Sequence, residues 1–104
     1  MHAISIVITR FVNEHQPGFV ECTLLDALSQ PHFFVEKVPV VTTEDLWSNS
    51  SYPRLGIIAC EVESEWNDET GRTLVRVNTE RPWGVESIAG ATQFVVLSSQ
   101  IVRK

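Results

Sequence analysis

Apolar and polar residues alternate along much of this chain with a period of two. The clearest segment is 57–66, where apolar residues alternate with glutamates. No segment repeats apolar residues at the i, i+3 and i+4 spacing of an amphipathic helix over ten residues. Because successive side chains of a β-strand point to opposite faces, this pattern predicts strands with one buried face. The alternation therefore indicates an all-β fold.

Turn-forming residues divide the alternating sequence into six or seven short strands. Proline, glycine, asparagine and serine interrupt the apolar pattern at intervals of roughly ten residues, as they do between neighbouring strands. Strands of this length and spacing predict a small antiparallel barrel or sandwich, and both architectures stay open. With 104 residues and no linker or repeat, the chain is predicted to be a single domain over 1–104. The predicted strands are 3–12, 19–26, 32–41, 57–66, 72–79, 85–88 and 91–97.

The best-defined pair of strands is a hairpin closed by the turn 67–71. Placing Trp66 opposite Gly71 brings glutamates opposite arginines on one face and apolar residues together on the other. A shift by one residue would break both patterns. The predicted pairs are Trp66 with Gly71, Glu65 with Arg72, Glu61 with Arg76, Val62 with Val75 and Cys60 with Val77.

One short helical turn is predicted near 42–47. Thr42 is followed three residues later by Asp45, the spacing of a helix-capping pair. The stretch 48–53, which contains serines and a proline, ends the turn almost at once. Such a helix is too short to cover a core, so the strands must build the core themselves.

The charge balance is acidic and limits the classes of partner. Thirteen Asp and Glu against eight Lys and Arg give a formal net charge of −5. A nucleic-acid backbone requires a concentrated cationic surface, so we expect no nucleic-acid partner. No apolar run approaches the ~18 residues of a membrane span. The apolar stretch 4–8 is shorter than the core of a signal peptide, so we expect a cytoplasmic protein without membrane contact.

The cysteines and histidines do not indicate a catalytic or metal centre. Cys22 and Cys60 lie within apolar alternating segments, where buried reduced thiols are the expected state. A disulfide between them is the alternative. The three histidines have no metal-ligand spacing with cysteines or carboxylates, and no glycine-rich phosphate loop precedes a helix. We therefore predict no catalytic residue, no metal ion and no cofactor.

An ionisable pair interrupts the apolar segment 33–38. Glu36 and Lys37 stand between Phe and Val residues, so one of the two side chains can point into a partly buried site. In the alternative interpretation, the Lys37 stem covers apolar surface while its charge stays in water, and Glu36 is paired beside it. The pair is a candidate binding site at a barrel mouth, together with Trp83.

The segment 79–87 carries the strongest candidate for a contact surface. Pro82 restricts the backbone, Gly84 permits a sharp exit, and the tryptophan between them is held in place. That tryptophan is either an exposed anchor for a partner or a plug at one end of the barrel, and both interpretations stay open. The candidate binding residues of this loop end are Tyr52, Arg81, Trp83 and Glu86.

Three stretches of the sequence resemble a group of short, uncharacterised all-β bacterial proteins. The stretches are 33–41, 56–61 and 77–87, and Arg-Pro-Trp-Gly at 81–84 is the most specific part. The resemblance covers most of the chain. It implies a bacterial, cytoplasmic protein, and no activity or functional residue comes with it.

These observations favour a small, non-catalytic binding or interaction module. Its acidic balance suits a basic protein partner. An inhibitor that neutralises a basic protein, such as a toxin, is one special case. The alternative is a small-ligand-binding protein or an enzyme, with a barrel-mouth pocket near Glu36, Lys37 and Trp83. Edge strands near Pro39 and at the C-terminus can pair between copies, so we expect a monomer or a homodimer.

Overall fold

Seven antiparallel β-strands form, which confirms the predicted all-β fold. The predicted strand 85–88 is wrong, because that segment belongs to a loop, and the seventh strand is Ile101–Arg103. The computed structural model describes residues 1–103. A helix of one turn, α1, and one 3-10 turn lie between strands. In chain order the elements are β1 His2–Asn13, β2 Phe19–Leu25, β3 Pro31–Lys37, α1 Val38–Val41, β4 Arg54–Asn67, β5 Thr73–Asn78, β6 Gln93–Leu97, the 3-10 turn Ser98–Gln100 and β7 Ile101–Arg103.

All seven strands belong to one sheet that curls into a half-barrel. The strand order is β3-β2-β1-β4-β5-β6, and β7 pairs with the start of β1. The 14-residue β4 joins the two halves, because its first part pairs with β1 and its last part pairs with β5. The architecture thus lies between the closed barrel and the two-sheet sandwich that the sequence leaves open.

Loop residues cover part of both edges of the sheet. The N–H of Ala27, in the turn after β2, donates to the carbonyl of Val95 on β6 (2.9 Å). The N–H of Ile88 donates to the carbonyl of Phe33 on β3 (2.7 Å). These hydrogen bonds occupy edge groups that could otherwise pair with a strand of another molecule.

The inner face of the curled sheet holds the core. Phe34 on β3 packs edge-on against Phe94 on β6 with ring centroids 5.7 Å apart, and His32 contacts the same ring at 4.9 Å. His32 Nε2 also lies 2.9 Å from Oδ2 of Asp26, at the end of β2. Side chains therefore hold β3 against β6 across the interior. Fully enclosed core residues include Ile4, Ile6, Ile8, Val20, Cys22, Leu24, Ile58, Val77 and Val96.

Both cysteines are buried free thiols, which confirms the expected state and not the disulfide. Burial raises the pKa of the Cys22 thiol to about 12, with a further contribution from the negative charge of Glu36. Burial alone raises the pKa of the Cys60 thiol to about 11. Because the thiolate is the reactive form, both side chains behave as core residues at neutral pH.

The predicted register of the β4–β5 hairpin is wrong. Glu65 lies opposite Val75, three positions beyond the predicted Arg72. Val62 lies opposite Val77, two positions beyond the predicted Val75. The observed pairs are Asn67 with Thr73, Trp66 with Leu74, Glu65 with Val75, Ser64 with Arg76, Val62 with Val77 and Glu61 with Asn78.

The turn of this hairpin is organised by Asp68. Its Oδ1 accepts the N–H groups of Thr70 and Arg72, and its Oδ2 accepts the Arg72 Nε–H at 2.8 Å. Hydrogen bonds from Thr70 and Arg72 hold the pKa of the Asp68 carboxyl well below its usual range. Arg72 therefore belongs to the turn and pairs within it, and Gly71 takes the positive-φ position (85°).

A β-bulge sets the rest of the register. β4 contains one extra residue, Glu63, between two successive pairs with β5. Because the bulge changes the alternation, Glu65 shares a face with the buried Val75. The Arg76 guanidinium lies over the Trp66 ring, 5.7 Å from its centroid, instead of opposite a glutamate. The three glutamates of β4 therefore do not form one solvated face.

The short helix lies just before the predicted position. It spans Val38–Val41, so Thr42 follows the helix and donates its N–H to the Val38 carbonyl (3.1 Å). The Thr42 hydroxyl accepts the N–H of Glu44 in a local turn and does not cap a helix start. Pro39 occupies the first helical turn, where its missing N–H costs nothing, and so it ends β3 without forming a bulge.

A substitution at Gly56 tests the packing of β4 against β1 and α1. A Cβ at this position would lie 2.8 Å from Ile8 Cδ1 and 2.9 Å from the Val41 carbonyl oxygen. Alanine normally stabilises an extended backbone relative to glycine, but overpacking should dominate here. We expect Gly56→Ala to lower the free energy of unfolding by about 1–3 kcal/mol in urea denaturation.

The matched control is Ile8→Val in the Gly56→Ala background, which removes the nearest clashing carbon. It should recover part of the loss. An unchanged or higher unfolding midpoint for Gly56→Ala alone would contradict this close packing.

Candidate functional site

The loop after β5 is closed by hydrogen bonds at its base. The buried Thr79 donates its hydroxyl to the Val85 carbonyl (2.6 Å), and the Val85 N–H donates to the Thr79 carbonyl (3.0 Å). Val85 is the core residue of this loop, whereas Trp83 at its tip is 64% exposed. The interpretation of Trp83 as a core plug is therefore wrong, and its indole is available at the surface.

Arg81 lines a cleft of mixed charge beside β4. The cleft has a volume of about 520 Å³. Glu63, on its wall, accepts hydrogen bonds from Asn78 Nδ2 (3.2 Å) and Gln93 Nε2 (3.1 Å). Cationic and anionic side chains thus share this surface. The lining residues are Met1, His2, Cys60, Glu61, Val62, Glu63, Arg81 and Pro82.

Tyr52 lies at the other end of β4 from Arg81. It precedes the first residue of β4, and its hydroxyl donates to the Trp47 carbonyl (2.8 Å). The Arg81 cleft lies beside Glu61, roughly 20 Å farther along the strand at the rise of extended backbone. Glu86 is exposed in the loop that carries Trp83. The structure therefore does not bring the four predicted contact residues together.

Glu36 and Lys37 point to opposite faces of β3. Glu36 lies opposite the buried Val20, so its side chain is directed to the interior, where it is half-buried. Burial raises the pKa of the Glu36 carboxyl, and the Lys37 charge opposes that rise. Lys37 lies opposite Phe19 and is exposed. Neither residue lines the cleft beside Arg81, and Trp83 belongs to a different loop.

Two adjoining clefts meet at Trp47, where the β1–β2 turn faces the segment after α1. The larger has a volume of 470 Å³ and the smaller 220 Å³. Both include Gln16, Pro17, Leu46 and Trp47. We call this region the Trp47 site. Its remaining lining residues are Phe11, Glu14, Gly18, Val38, Pro39, Thr42, Thr43, Glu44 and Asp45.

Hydrogen bonds immobilise the backbone of Trp47 while leaving its indole exposed. Its N–H donates to Ser50 Oγ (2.9 Å), and its carbonyl accepts the Ser50 N–H (3.1 Å) and the Tyr52 hydroxyl (2.8 Å). The preceding Leu46 is buried in the core. The Trp47 side chain is nevertheless 59% exposed. An exposed aromatic on a fixed backbone loses little conformational entropy when it contacts a partner.

Carboxylates border the Trp47 site on both sides. Glu14 accepts a hydrogen bond from the Ser48 hydroxyl (2.8 Å), which links the β1–β2 turn to the Trp47 segment. Glu44 pairs with Arg54 Nη2 at 2.8 Å. Among residues 1–103, the other two carboxylates at the border, Glu14 and Asp45, make no ion pair. The site therefore presents a surplus of negative charge around an indole.

The sequence contains a local signal for this site, although it matches no known motif. Glu44, Asp45 and Trp47 stand close together between the end of a strand and a serine-rich turn. What no local pattern shows is that Glu14 and Pro17, some thirty residues earlier, form the opposite wall. The contact between the two segments arises only when β1, β2 and β4 assemble.

Comparison with known protein families, curated proteins and solved structures finds no match to this chain. No three His, Cys, Asp or Glu side chains among residues 1–103 are placed to hold a metal ion together. The helical segments within residues 1–103 are single turns, and none of them could span a bilayer. The candidate site therefore has to be argued from its own geometry.

Substitution of Glu36 tests whether its burial costs stability. A carboxyl whose pKa is raised in the folded state begins to destabilise the fold as the pH rises above its unfolded pKa, and does so fully above its folded pKa. We expect Glu36→Gln to raise the melting temperature at pH 7 and to leave it unchanged near pH ~3. Thermal unfolding followed by circular dichroism at both pH values measures this.

The matched control is Glu61→Gln, which removes an exposed carboxylate from the same acidic chain. It should change the melting temperature much less at pH 7. A lower melting temperature for Glu36→Gln at pH 7 would show that the ionised carboxylate stabilises the fold.

Proposed function

We propose that this protein is a small, non-catalytic binding module that takes a basic segment of a partner protein at the Trp47 site. The observation that carries the proposal is the exposed indole of Trp47, whose backbone is held by hydrogen bonds beside two clefts that carboxylates help to line. The ligand class is a lysine or arginine side chain presented on an exposed peptide segment.

The chemistry of the site matches a cationic side chain. Ammonium and guanidinium groups are attracted to the face of an indole, and nearby carboxylates add ionic hydrogen bonds. The protein already contains such a contact, because the Arg76 guanidinium lies over the Trp66 ring. Exposed aromatic anchors also dominate the binding energy of many interfaces. The two clefts beside Trp47 offer space for the aliphatic stem of the bound residue.

Net charge supports the same partner class at longer range. The formal net charge of −5 attracts a basic protein and speeds its encounter with this one. The Trp83 loop carries Glu80 and Glu86 as well as Arg81, but the cleft beside Arg81 does not include Trp83, so that indole has no adjoining cleft there. This difference makes Trp83 a matched control for Trp47.

The proposal includes a bacterial, cytoplasmic location. It is supported by the two free thiols of Cys22 and Cys60, since cytosolic proteins keep cysteines reduced. It is also supported by the resemblance of 33–41, 56–61 and 77–87 to short bacterial proteins.

The test compares two exposed tryptophans. Calorimetric titration with a lysine- and arginine-rich peptide of defined sequence should give saturable binding that weakens as salt is added. Trp47→Ala should weaken this binding about tenfold, because it removes the cation–π contact and the anchor. Trp83→Ala, which removes an indole of similar exposure, should leave the affinity within about twofold.

Charge-reversed and fold controls complete the experiment. A glutamate-rich peptide of the same length should not bind, and circular dichroism should be unchanged in both variants. Equal affinities of Trp47→Ala and the parent chain would overturn the assignment of this site. Binding of both peptides with similar affinity would overturn the proposed charge selectivity.

A further inference from the structure

The two clefts of the Trp47 site form one groove, because they share a wall made by Pro17 and Trp47. Beyond that wall, Phe11 lines the smaller cleft of 220 Å³. Pro39 lines the larger cleft of 470 Å³. Proline and aromatic rings therefore line both parts of the groove.

Hydrogen bonds and close packing fix the walls of this groove. The Val38 N–H donates to the Gly18 carbonyl (3.0 Å), which ties the β1–β2 turn to α1. A Cβ at Gly18 would lie 3.1 Å from Phe11 Cζ, so the Phe11 ring is packed directly against the turn. A groove with fixed walls favours a ligand that is itself rigid, since neither partner then loses much conformational entropy on binding.

The composition of the groove limits the conformation of the bound segment. An amphipathic helix requires a groove that is apolar along several helical turns, but the larger cleft carries the polar side chains of Thr42, Thr43, Glu44 and Asp45. A β-strand binds by pairing with free backbone groups at a sheet edge. Here a turn and the segment after α1 line the groove instead. Neither conformation suits this surface.

A polyproline II helix suits the same surface. It has no internal hydrogen bonds, so its carbonyl groups remain free to accept hydrogen bonds from a binding site. The Gln16 amide, the Thr43 hydroxyl and the Trp47 indole N–H are donors in the groove. Grooves lined by aromatic rings are also the surfaces on which proline-rich segments commonly bind.

The two clefts differ in size and in charge. The larger one is lined by the carboxylates of Glu44 and Asp45 and has space for a long side chain. The smaller one contains a single carboxylate, Glu14, which already accepts the Ser48 hydroxyl (2.8 Å). A lysine or arginine therefore fits the larger cleft, and a compact apolar ring fits the smaller one beside Phe11.

We propose that the basic segment bound at the Trp47 site is proline-rich and binds as a polyproline II helix. This inference rests on the proposed function and adds the conformation and sequence pattern of its ligand. Residues three apart lie on one side of such a helix, about 9 Å from each other. A proline occupies the smaller cleft, and the lysine or arginine three residues away occupies the larger one.

Calorimetric titration with two peptides of equal length and charge tests this inference. One peptide contains three repeats of Pro-Ala-Pro-Arg, and the other contains three repeats of Ser-Ala-Ser-Arg. The proline peptide should bind about tenfold more tightly, because its polyproline II conformation forms before binding. Added salt should weaken the binding of both peptides, since both carry the same arginines.

The variant Phe11→Leu tests the smaller cleft. It keeps an apolar side chain but removes the aromatic ring, so it should weaken binding of the proline peptide about fivefold and leave the serine peptide within about twofold. Phe33→Leu makes the same change at an exposed phenylalanine of β3, outside the groove, and should leave both affinities unchanged. Circular dichroism should be the same for both variants and the parent chain.

The outcomes separate this inference from the proposed function. Equal or tighter binding of the serine peptide would overturn the polyproline II conformation and leave the Trp47 site as a site for basic segments. Failure of both peptides to bind would overturn the proposed function and this inference together. An equal loss of affinity for both peptides in Phe11→Leu would overturn the placement of proline in the smaller cleft.

Discussion

The fold depends on one constraint: a single sheet has to bury its own apolar face. The two short helical turns of residues 1–103 are too small to cover a seven-stranded sheet. The sheet therefore curls until β3 and β6 approach, and Phe34 and His32 pack against Phe94 in the interior. The long β4 makes this possible, because it pairs with β1 at one end and β5 at the other. The position of the Trp47 site follows from that curling.

Curling leaves two surfaces with different physical character. At the end of the half-barrel, the β1–β2 turn meets the segment after α1, and carboxylates help to line the two clefts beside the exposed Trp47. On the outer side, Val7 and Leu55 are exposed apolar residues on paired strands. The carboxylates at the Trp47 site support a basic partner there.

The alternation of apolar residues was sufficient to predict an all-β fold of about seven strands and the burial of Cys22 and Cys60. It could not predict the β4–β5 register. The sequence places Glu65 and Arg72 where they could pair across strands, but Asp68 binds Arg72 within the turn. The bulge at Glu63 then changes which residues face inward. Hydrogen bonds to a turn aspartate compete with cross-strand ion pairs, and residue patterns alone do not show which will dominate.

The candidate sites, like the fold, could be predicted only in part from the sequence. Local sequence was enough to identify the loop of Arg81, Trp83 and Glu86 as surface-forming, because Pro82 and Gly84 restrict its backbone. The exposure of Trp83 was decided by tertiary structure, since Val85 fills the core position that the tryptophan could have taken.

The grouping of residues was likewise a tertiary outcome. Tyr52 lies beside Trp47 and not beside Trp83, because strand pairing places the two ends of β4 far apart. By itself, the sequence determined which residues alternate, which segments turn and how much charge the chain carries. Which side chains meet was decided only by the curled sheet, because contacts between distant segments depend on register and curvature that no local pattern encodes.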